Sequence, residues 1–334
     1  MRPLFHMNVS IVIPTWKGQR LLQSYLPSVV AACDFYRNSV GAGTEIIVVE
    51  DAGGDCTMEW LQSNYGSQVR AVEHSQNLGF CAACQTGFLQ ARYSVVLLLN
   101  NDVRLEADCI APMVEHFKDP GTFAVTGKMF NQKGDVFCNG GKIARFRRGM
   151  WSSYLNYDVP DATGYDPSLL SFAAIAAFSA YDREKFLAIG GFDPLTAMFE
   201  DIEISYRAWK RGWLVKYEPR SIAYHDASQT MKRRYKRRSL EMLSRRSRIV
   251  MHWLLLQDRG MFVAHVASMA GQLLTSWLWL DWPLYWAVGT SLRNMPAILR
   301  KRRENRRAAV RSDRELLRML ENFYRTAPII QRNF

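Results

Sequence analysis

Cysteine is scarce in this sequence, and its spacing excludes the common zinc sites. Six cysteines occur in 334 residues, and only Cys81 and Cys84 form a closely spaced pair. A structural zinc ion needs four ligands, so this single pair indicates packing between a helix and a sheet. The first residues also lack the apolar run and the small-residue cleavage site of a secretory signal peptide. We therefore expect reduced thiols and a location in the cytosol.

Acidic residues are scarce in the last third of the chain. Residues 231–334 hold 22 Lys and Arg against 7 Asp and Glu, whereas residues 1–230 hold 21 against 24. The net charge of +12 therefore arises entirely from the C-terminal region. Such a region is suited to bind nucleic acid or anionic lipid. We predict two regions, 1–230 and 231–334, and the apolar content of 48% indicates a globular chain.

The first 130 residues alternate short apolar runs with helical patterns, as α/β proteins do. Five nearly continuous apolar runs predict buried strands, at residues 9–13, 45–50, 69–74, 94–100 and 123–127. Strands that are apolar throughout and separated by helices are typical of a mainly parallel sheet covered on both faces. We predict an α/β fold with a mainly parallel sheet, followed at 131–170 by loops or an antiparallel excursion.

Polar side chains follow three of these strands where each strand ends. They are Pro14 and Thr15 after the first strand, Glu50 and Asp51 after the second, and Asn100, Asn101 and Asp102 after the fourth. One such group is explained by turn chemistry alone. Because parallel strands end at one edge, where ligands bind in such sheets, three groups indicate a binding site.

Seven segments occur in an order that resembles family-2 glycosyltransferases, which are inverting enzymes with the GT-A fold. The segments are VSIVIPTW, EIIVVEDAGGD, NLGFCAACQTG, LLLNNDVRLEAD, GGFDP, FEDIEISYRAWKRGW and YHDAS. They extend from Val9 to Ser228, about two-thirds of the chain. The NLGF segment is most similar to bacterial rhamnosyltransferases and related transferases of cell-surface polysaccharides. The resemblance implies a GT-A catalytic domain in residues 1–230, with a Rossmann-like, mixed, mainly parallel sheet, and a nucleotide-sugar donor.

The resemblance also implies a donor site and a metal site at the strand edge. Asp51 would accept a hydrogen bond from the N3–H of uracil or thymine, unless it only caps a helix. The other predicted nucleotide-binding residues are Pro14, Thr15, Asn77, Gly79, Asn100 and Asn101. Asp102 and His225 would hold Mn2+ or Mg2+, since such ions complete their shell with water and phosphate oxygens. His225 equally suits a core histidine bonded to backbone, and the resemblance favours the ligand.

Two acids begin a predicted helix at residue 200. An inverting displacement needs a carboxylate opposite the leaving group, and the resemblance assigns this general base to Asp201, with Glu200 beside the acceptor. Acids also stabilise helix N-termini without any catalytic role. The resemblance places Gly191, Phe192 and Asp193 in a turn beneath the acceptor, where glycine allows a close approach of the backbone.

Residues 261–280 contain no Asp, Glu, Lys or Arg and are flanked by arginine clusters. About 20 apolar residues span a bilayer, but polar residues such as His265 and Gln272 make this segment marginal. The tryptophans that follow favour the headgroup layer, and the arginines favour anionic lipid. We predict a helical C-terminal region that lies in or dips into the cytoplasmic face of the inner membrane, as a peripheral or monotopic protein. A spanning hairpin and a soluble helical bundle are the alternatives.

We therefore expect an inverting, metal-dependent transferase that moves a sugar from a UDP- or dTDP-sugar to a lipid-linked saccharide in bacterial cell-surface polysaccharide synthesis (O-antigen, capsule or exopolysaccharide). A nucleic-acid-binding protein is an alternative, but its aromatic residues would be spaced along a basic groove. A nucleotidyltransferase would need a Gly-rich, Lys-bearing phosphate loop, which PTWKG at 14–18 matches poorly. An inactive scaffold with a transferase fold would be consistent with Asn100 and Lys17 at their motif positions.

Overall fold

The computed structural model describes residues 7–160, 169–225 and 237–332. The first part alternates strands and helices as the apolar runs predict. Its elements are β1 (Val9–Thr15), α1 (Gln19–Val40), β2 (Thr44–Glu50), α2 (Thr57–Tyr65), β3 (Val69–Glu73), α3 (Phe80–Gln90) and β4 (Val95–Leu99). The middle part contains β5 (Val103–Leu105), α4 (Ile110–Glu115), β6 (Thr122–Phe130), β7 (Phe137–Asn139), β8 (Gly141–Arg147), β9 (Met150–Asp158), β10 (Phe178–Asp182), α5 (Arg183–Ala188), α6 (Glu200–Lys210) and β11 (Leu214–His225).

Within the described residues, nine strands form the main sheet. Their order is β3-β2-β1-β4-β10-β6-β11-β5, with β7 attached to β6. Strands β3, β2, β1 and β4 are parallel, as are β6 and β11, whereas β10 runs against both of its neighbours and β5 runs against β11. The predicted α/β fold with a mixed, mainly parallel sheet is confirmed. The carboxyl ends of β1, β2 and β4 therefore share one edge with the amino end of β10.

Helices cover both faces of this sheet, so neighbouring strand residues enter different cores. Ile11 packs in the cluster that contains α1, and Val12 packs in the cluster that contains α3. A Cβ atom at Gly87 of α3 would lie 2.2 Å from Val12 Cγ1, so only glycine allows this helix to approach the strand so closely. Cys84 of the same helix is buried and free, in agreement with a packing role for the cysteine pair.

The middle segment leaves the parallel pattern, as predicted for 131–170. Strands β8 and β9 pair antiparallel and form a second sheet with β12 (Ile330–Arg332). Residues 161–168 of this segment lie outside the described part of the chain.

The C-terminal region is helical, as predicted. Its helices are α7 (Arg237–Leu255), α8 (Arg259–Ser276), α9 (Trp282–Arg293), α10 (Met295–Ala308) and α11 (Asp313–Thr326). Leu254 of α7 and Leu320 of α11 pack in the same hydrophobic cluster as Val12, so these helices are fixed on the sheet domain. The predicted boundary at residue 230 lies outside the described residues. None of the helices in the described ranges is long and apolar enough to cross a bilayer.

Candidate active site

The strand edge brings several of the predicted donor-site residues together. The backbone N–H of Asp51 donates to Thr15 O over 2.9 Å, and the Asn101 amide donates to Thr15 Oγ1 over 2.7 Å. All three residues are buried. Pro14 lies within β1, in register with Val49 of β2. The ends of β1, β2 and β4 are therefore joined by hydrogen bonds into one polar edge.

The Asp51 carboxylate organises the loop that follows β3. It accepts hydrogen bonds from the N–H groups of Leu78, at 2.8 Å, and of Gly79, at 2.7 Å. His74 Nδ1 lies 2.8 Å from Asp51 Oδ1, and His74 Nε2 lies 2.9 Å from Thr86 Oγ1. A carboxylate has about four acceptor positions, so these three bonds leave one of them. His74 is not among the residues predicted from the sequence, although its place directly after a strand beside β2 was a usable signal.

Neighbouring contacts hold the rest of this edge. The Asn77 amide donates to Asp51 O over 3.0 Å. Glu50 Oε1 accepts from the N–H groups of Lys17, at 3.2 Å, and Gly53, at 3.0 Å. Its other oxygen is buried and has no hydrogen-bond partner among the described residues. Burial raises the pKa of Glu50 above its usual value. The predicted residues Asn77 and Gly79 thus lie beside Asp51, in a region that Glu50 helps to shape.

Asp102 and His225 are brought together by strand pairing. Val103 of β5 lies opposite His225 of β11, so the preceding residue, Asp102, reaches the imidazole. Gln132 fastens the two chains, because its amide donates to Asp102 O over 3.2 Å and to Tyr224 O over 3.1 Å. Gln132 is a further residue that the sequence reasoning did not single out. It lies in the loop between β6 and β7, 30 residues after Asp102, and belongs to no recognisable motif.

The two side chains fit a shared divalent cation. Asp102 Oδ1 and His225 Nε2 lie 3.0 Å apart, which would allow an ion pair, but they are not aligned for a hydrogen bond. Both atoms are buried, and neither has a hydrogen-bond partner in the described part of the chain. Neighbouring ligands of an octahedral ion, each about 2.1 Å from it, are also roughly 3 Å apart. No group of three or more His, Cys, Asp or Glu suited to a metal occurs among the described residues, so phosphate and water would supply the other ligands.

The acidic pair at the start of α6 adjoins the same edge. The N–H of Ala176 donates to the Asp201 carboxylate, and the next residue, Ala177, accepts from the N–H of Asn100 over 3.1 Å. Asp201 Oδ1 also accepts from the N–H of Ile202 over 2.7 Å. One oxygen of Glu200 is buried and lacks a hydrogen bond within the described ranges. Asp201 is therefore linked to the end of β4 through two consecutive alanines.

Burial controls the protonation of this pair. It raises the pKa of both Glu200 and Asp201, and the charge of Asp201 raises that of Glu200 further. Lys142 of β8 opposes this effect at Asp201, because its positive charge favours the ionised carboxylate. Burial also lowers the pKa of Lys142, to about 8. Lys142 is another residue missed from the sequence, where GGK in an irregular segment carries no recognisable signal.

The turn predicted beneath the acceptor is buried and tied to neighbouring elements. Gly191 has a φ of 65°, a left-handed conformation that favours glycine, and Gln85 Oε1 would lie 2.1 Å from a Cβ atom there. Asp193 accepts from the N–H of Leu195 over 3.0 Å and from Lys301 Nζ of α10 over 2.6 Å. The Phe192 ring packs against the aromatic rings of Phe80, Tyr181 and Phe186. These three residues shape the loop before Glu200, and their predicted contact with an acceptor stays a prediction.

A buried aspartate joins α6 to the C-terminal helices. Asp313 of α11 accepts from Tyr206 Oη and Lys210 Nζ, each at 2.6 Å. It also accepts from the N–H groups of Gln257 and Asp258, each at 2.7 Å, in the turn between α7 and α8. The side chain is fully buried. Helix α6, which carries Asp201, is therefore anchored by Asp313. Because Asp313 lies 103 residues after Lys210, no local sequence pattern predicts this contact.

Comparison with known proteins agrees with this fold. The family model of glycosyl transferase family 2 matches residues 10–185, just over half of the chain. The poly-beta-1,6-N-acetyl-D-glucosamine synthase of Staphylococcus aureus (strain COL) is 25% identical over 197 residues, which cover 58% of this chain and 45% of the synthase. The chain spans less than half the length of the first curated relatives that it matches.

Two solved structures show the same architecture. GalNAc-T7 with UDP, GalNAc and Mn2+ has a TM-score of 0.60 at 18% identity, covering 79% of this chain and 51% of that chain. TarS 1-349 of S. aureus in complex with UDP-GlcNAc has a TM-score of 0.55 at 15% identity, covering 96% and 92%. At these identities the likeness concerns the fold alone. Together with the family match, it shows that the chain belongs to glycosyl transferase family 2 and has the GT-A fold.

Proposed function

We propose that the protein is an inverting, metal-dependent transferase that moves one sugar from a UDP- or dTDP-sugar to a lipid-linked saccharide in bacterial cell-surface polysaccharide synthesis. The observation that carries the proposal is the pair of buried atoms Asp102 Oδ1 and His225 Nε2, 3.0 Å apart at the edge that also holds Asp51. In support, the similar synthase is named for a polysaccharide, and both similar structures contain UDP or a UDP-sugar.

Asp51 is suited to select the nucleobase. Its carboxylate has one acceptor position left after the bonds to Leu78, Gly79 and His74. Uracil and thymine present a single N–H between two carbonyl groups, which matches one acceptor. Guanine presents two neighbouring donors and would need both carboxylate oxygens. The remaining contacts to the nucleotide are assigned to Pro14, Thr15, Asn77, Gly79, Asn100 and Asn101.

Asp102 and His225 would hold Mn2+ or Mg2+ together with the donor diphosphate. When bound, the ion supplies Lewis-acid stabilisation of the charge that develops on the leaving diphosphate. An imidazole ligand favours Mn2+ over Mg2+. Gln132 keeps the Asp102 backbone against β11, so the two ligands stay at one separation.

Asp201 is assigned as the general base. It takes the proton of the acceptor hydroxyl while that oxygen bonds to the anomeric carbon and the bond to the diphosphate oxygen breaks on the opposite face. The configuration at this carbon is therefore inverted. Lys142 favours the ionised form of Asp201 that this step needs. Glu200 is assigned to bind the acceptor above the turn formed by Gly191, Phe192 and Asp193.

The acceptor is proposed to be lipid-linked, with the protein at the cytoplasmic face of the inner membrane. The support is the basic C-terminal region, residues 231–334, which contains 22 Lys and Arg but only 7 Asp and Glu. Anionic lipid attracts such a region.

The test is a panel of nucleotide sugars, scored by thermal shift with and without Mn2+ and by product analysis. We expect UDP- or dTDP-sugars to raise the melting temperature mainly when Mn2+ is present, and turnover to release nucleoside diphosphate. Stabilisation by GDP-sugars alone would contradict the assignment of Asp51. Absence of any shift with all donors would contradict the donor site itself.

A further inference from the structure

An aromatic turn projects from the C-terminal region between α8 and α9. Residues 277–282, here called the tryptophan turn, have the sequence WLWLDW. Its large apolar side chains are mostly exposed, at 64% for Trp277, 83% for Trp279 and 62% for Trp282, with Leu278 and Leu280 similarly open. Side chains of this kind are normally buried, and a contiguous exposed group of them marks an interaction surface.

The turn is held in this shape by its own contacts. Leu280 has a φ of 51°, a left-handed conformation that costs a leucine free energy. The N–H of Asp281 donates to Ser276 O over 3.1 Å, which closes the end of α8. The Asp281 carboxylate pairs with Arg245 of α7. These contacts keep the indole rings outside the protein core.

The apolar surface continues along α8. Val263, Val266 and Leu274 are 66%, 49% and 73% exposed, whereas Met261 and Met269 of the same helix are buried against the protein. The helix therefore has one face on the protein and an apolar strip on its other side, ending in the tryptophan turn. An exposed apolar strip of this length, continuous with exposed indole rings, marks an interaction surface.

Positive charge lies at the same end of the molecule. The pair between Arg245 and Asp281 places the first half of α7 beside the turn, and the exposed Arg238 lies in the first turn of α7. Asp281 is the one acidic residue of the sequence between 259 and 303, and it is neutralised by Arg245. Tryptophan beside arginine matches the headgroup layer of an anionic bilayer.

We propose that the tryptophan turn and the apolar strip of α8 insert into the interface of an anionic lipid bilayer. A second copy of the chain is a poorer occupant, because a two-fold contact at this surface would bring the two basic α7 segments together. A nucleic acid is also poorer, because the aromatic rings cluster in one apolar turn and not along a charged groove.

This docking also sets how the active site faces the membrane, a step that rests on the proposed function. Ser247 of α7 donates from Oγ to Ala197 O over 2.5 Å, in the loop just before Glu200. Arg245, which holds the tryptophan turn, lies two positions earlier on the same helix, about 3 Å along its axis. Lys301 of α10 holds Asp193 at the start of that loop. A docked turn would therefore keep the acceptor side of the site close to the lipid surface, where a lipid-linked saccharide is presented.

The experiment is co-sedimentation of the full chain with vesicles of phosphatidylcholine and phosphatidylglycerol in a two-to-one ratio, and with phosphatidylcholine alone. The test variant is Trp277→Ser with Trp279→Ser. The matched control is Phe35→Ser with Leu89→Ser, two apolar residues of α1 and α3 that are 45% and 57% exposed. Because all four residues are at least 45% exposed, both variants should keep a melting temperature close to that of the wild type.

We expect the wild type to bind the anionic vesicles, and to bind less at high salt. The tryptophan variant should lose at least about tenfold in partitioning, while the control binds like the wild type. Equal binding by the tryptophan variant, or an equal loss in both variants, would overturn the proposal. The proposal would also be overturned if sedimentation velocity showed a wild-type dimer that the tryptophan variant no longer forms, while vesicle binding stayed unchanged. No nucleotide sugar is present, so failure here is distinct from failure of the transferase assignment.

Discussion

The carboxylate of Asp102 and the imidazole of His225 lie 3.0 Å apart, from Oδ1 to Nε2, without a hydrogen bond between them. They are distant in sequence and meet because the three-residue strand β5 pairs with the end of β11. A buried polar atom without a partner costs about 1–3 kcal/mol. Two such atoms facing each other form at most an ion pair, and their separation also fits the shared divalent cation that we propose here.

Replacing Asp102 by asparagine should remove the response to metal without lowering the stability of the metal-free protein. The amide replaces a buried charge whose Oδ1 has no hydrogen bond within the described ranges, so the melting temperature without metal should equal or exceed that of the wild type. Mn2+ should raise the melting temperature of the wild type by mass action and leave Asp102→Asn unchanged. Asp108→Asn, at an exposed carboxylate nearby, is the control and should behave like the wild type. A full Mn2+ response in Asp102→Asn would refute the assignment.

Asp51→Asn should weaken both the fold and nucleotide binding. An amide has one acceptor oxygen and cannot replace the bonds to Leu78, Gly79 and His74 together. We expect a loss of about 2 kcal/mol in the free energy of unfolding, measured by urea denaturation. UDP affinity should fall as well. If stability falls while the affinity of the folded protein for UDP is unchanged, Asp51 is a structural cap and not a nucleobase ligand.

Asp201→Asn should abolish most of the transfer reaction and leave donor affinity close to that of the wild type. Removal of a general base typically costs about 10²–10⁴ in rate. Glu200→Gln is the paired variant and should mainly raise the KM for the acceptor. Steady-state kinetics with a soluble acceptor would separate the two effects. Substantial turnover by Asp201→Asn would show that another group takes the proton.

Lys142→Met should move the acid limb of the pH profile of kcat/KM to higher pH. Burial raises the pKa of Asp201, and the charge of Lys142 counteracts that rise, so its loss raises the pKa further. The base acts when ionised, so activity should increase with pH through this raised pKa. Lys128→Met, which removes the ion-pair partner of Asp158 in β9, is the control and should leave the limb in place. An unchanged acid limb in Lys142→Met would show that Lys142 does not influence the pKa of the catalytic base.

The raised pKa of Asp201 also makes the stability of the folded protein depend on pH. A buried carboxyl with a raised pKa favours the protonated folded state, so its contribution is full at low pH. It is lost as the pH rises from the usual carboxyl pKa through the raised one. Asp201→Asn should flatten this part of the stability curve, which urea denaturation at several pH values would measure.

Asp313→Asn should destabilise the protein strongly, because Lys210 would keep its charge in a buried site without its carboxylate partner. Breaking such a pair from one side costs about 3–5 kcal/mol. The double variant Lys210→Met with Asp313→Asn should be less destabilised than the sum of the single variants. Additive effects in urea denaturation would show that the 2.6 Å contact contributes little.

The fold and the place of the site follow from local patterns. Apolar runs predict β1, β2 and β4 because those strands are buried on both faces, and polar residues after them mark the edge. The outer strand β3 is only partly buried, and its apolar run is correspondingly interrupted by Arg70. The sequence does not predict β5, since three residues are too short to show a period. Nor does it predict that Phe192 packs inside an aromatic cluster, because the resemblance concerns the turn and not its surroundings.

The residues that support the site are hidden for a different reason. His74 and Gln132 contact Asp51 and Asp102, and the charge of Lys142 acts on Asp201. All three effects depend on how distant segments meet in three dimensions. Single positions of this kind lie outside any motif. These supporting residues are therefore brought to the site by long-range contacts, which the sequence alone does not predict.

The most direct test is a calorimetric titration of UDP with and without Mn2+, for the wild type, Asp102→Ala and Asp201→Asn. The wild type and Asp201→Asn should bind UDP at least about tenfold more tightly with Mn2+, a coupling of roughly 1.4 kcal/mol. In Asp102→Ala that coupling should vanish. Equal coupling in all three proteins would mean that Asp102 and His225 hold no ion beside the nucleotide, and would contradict the account.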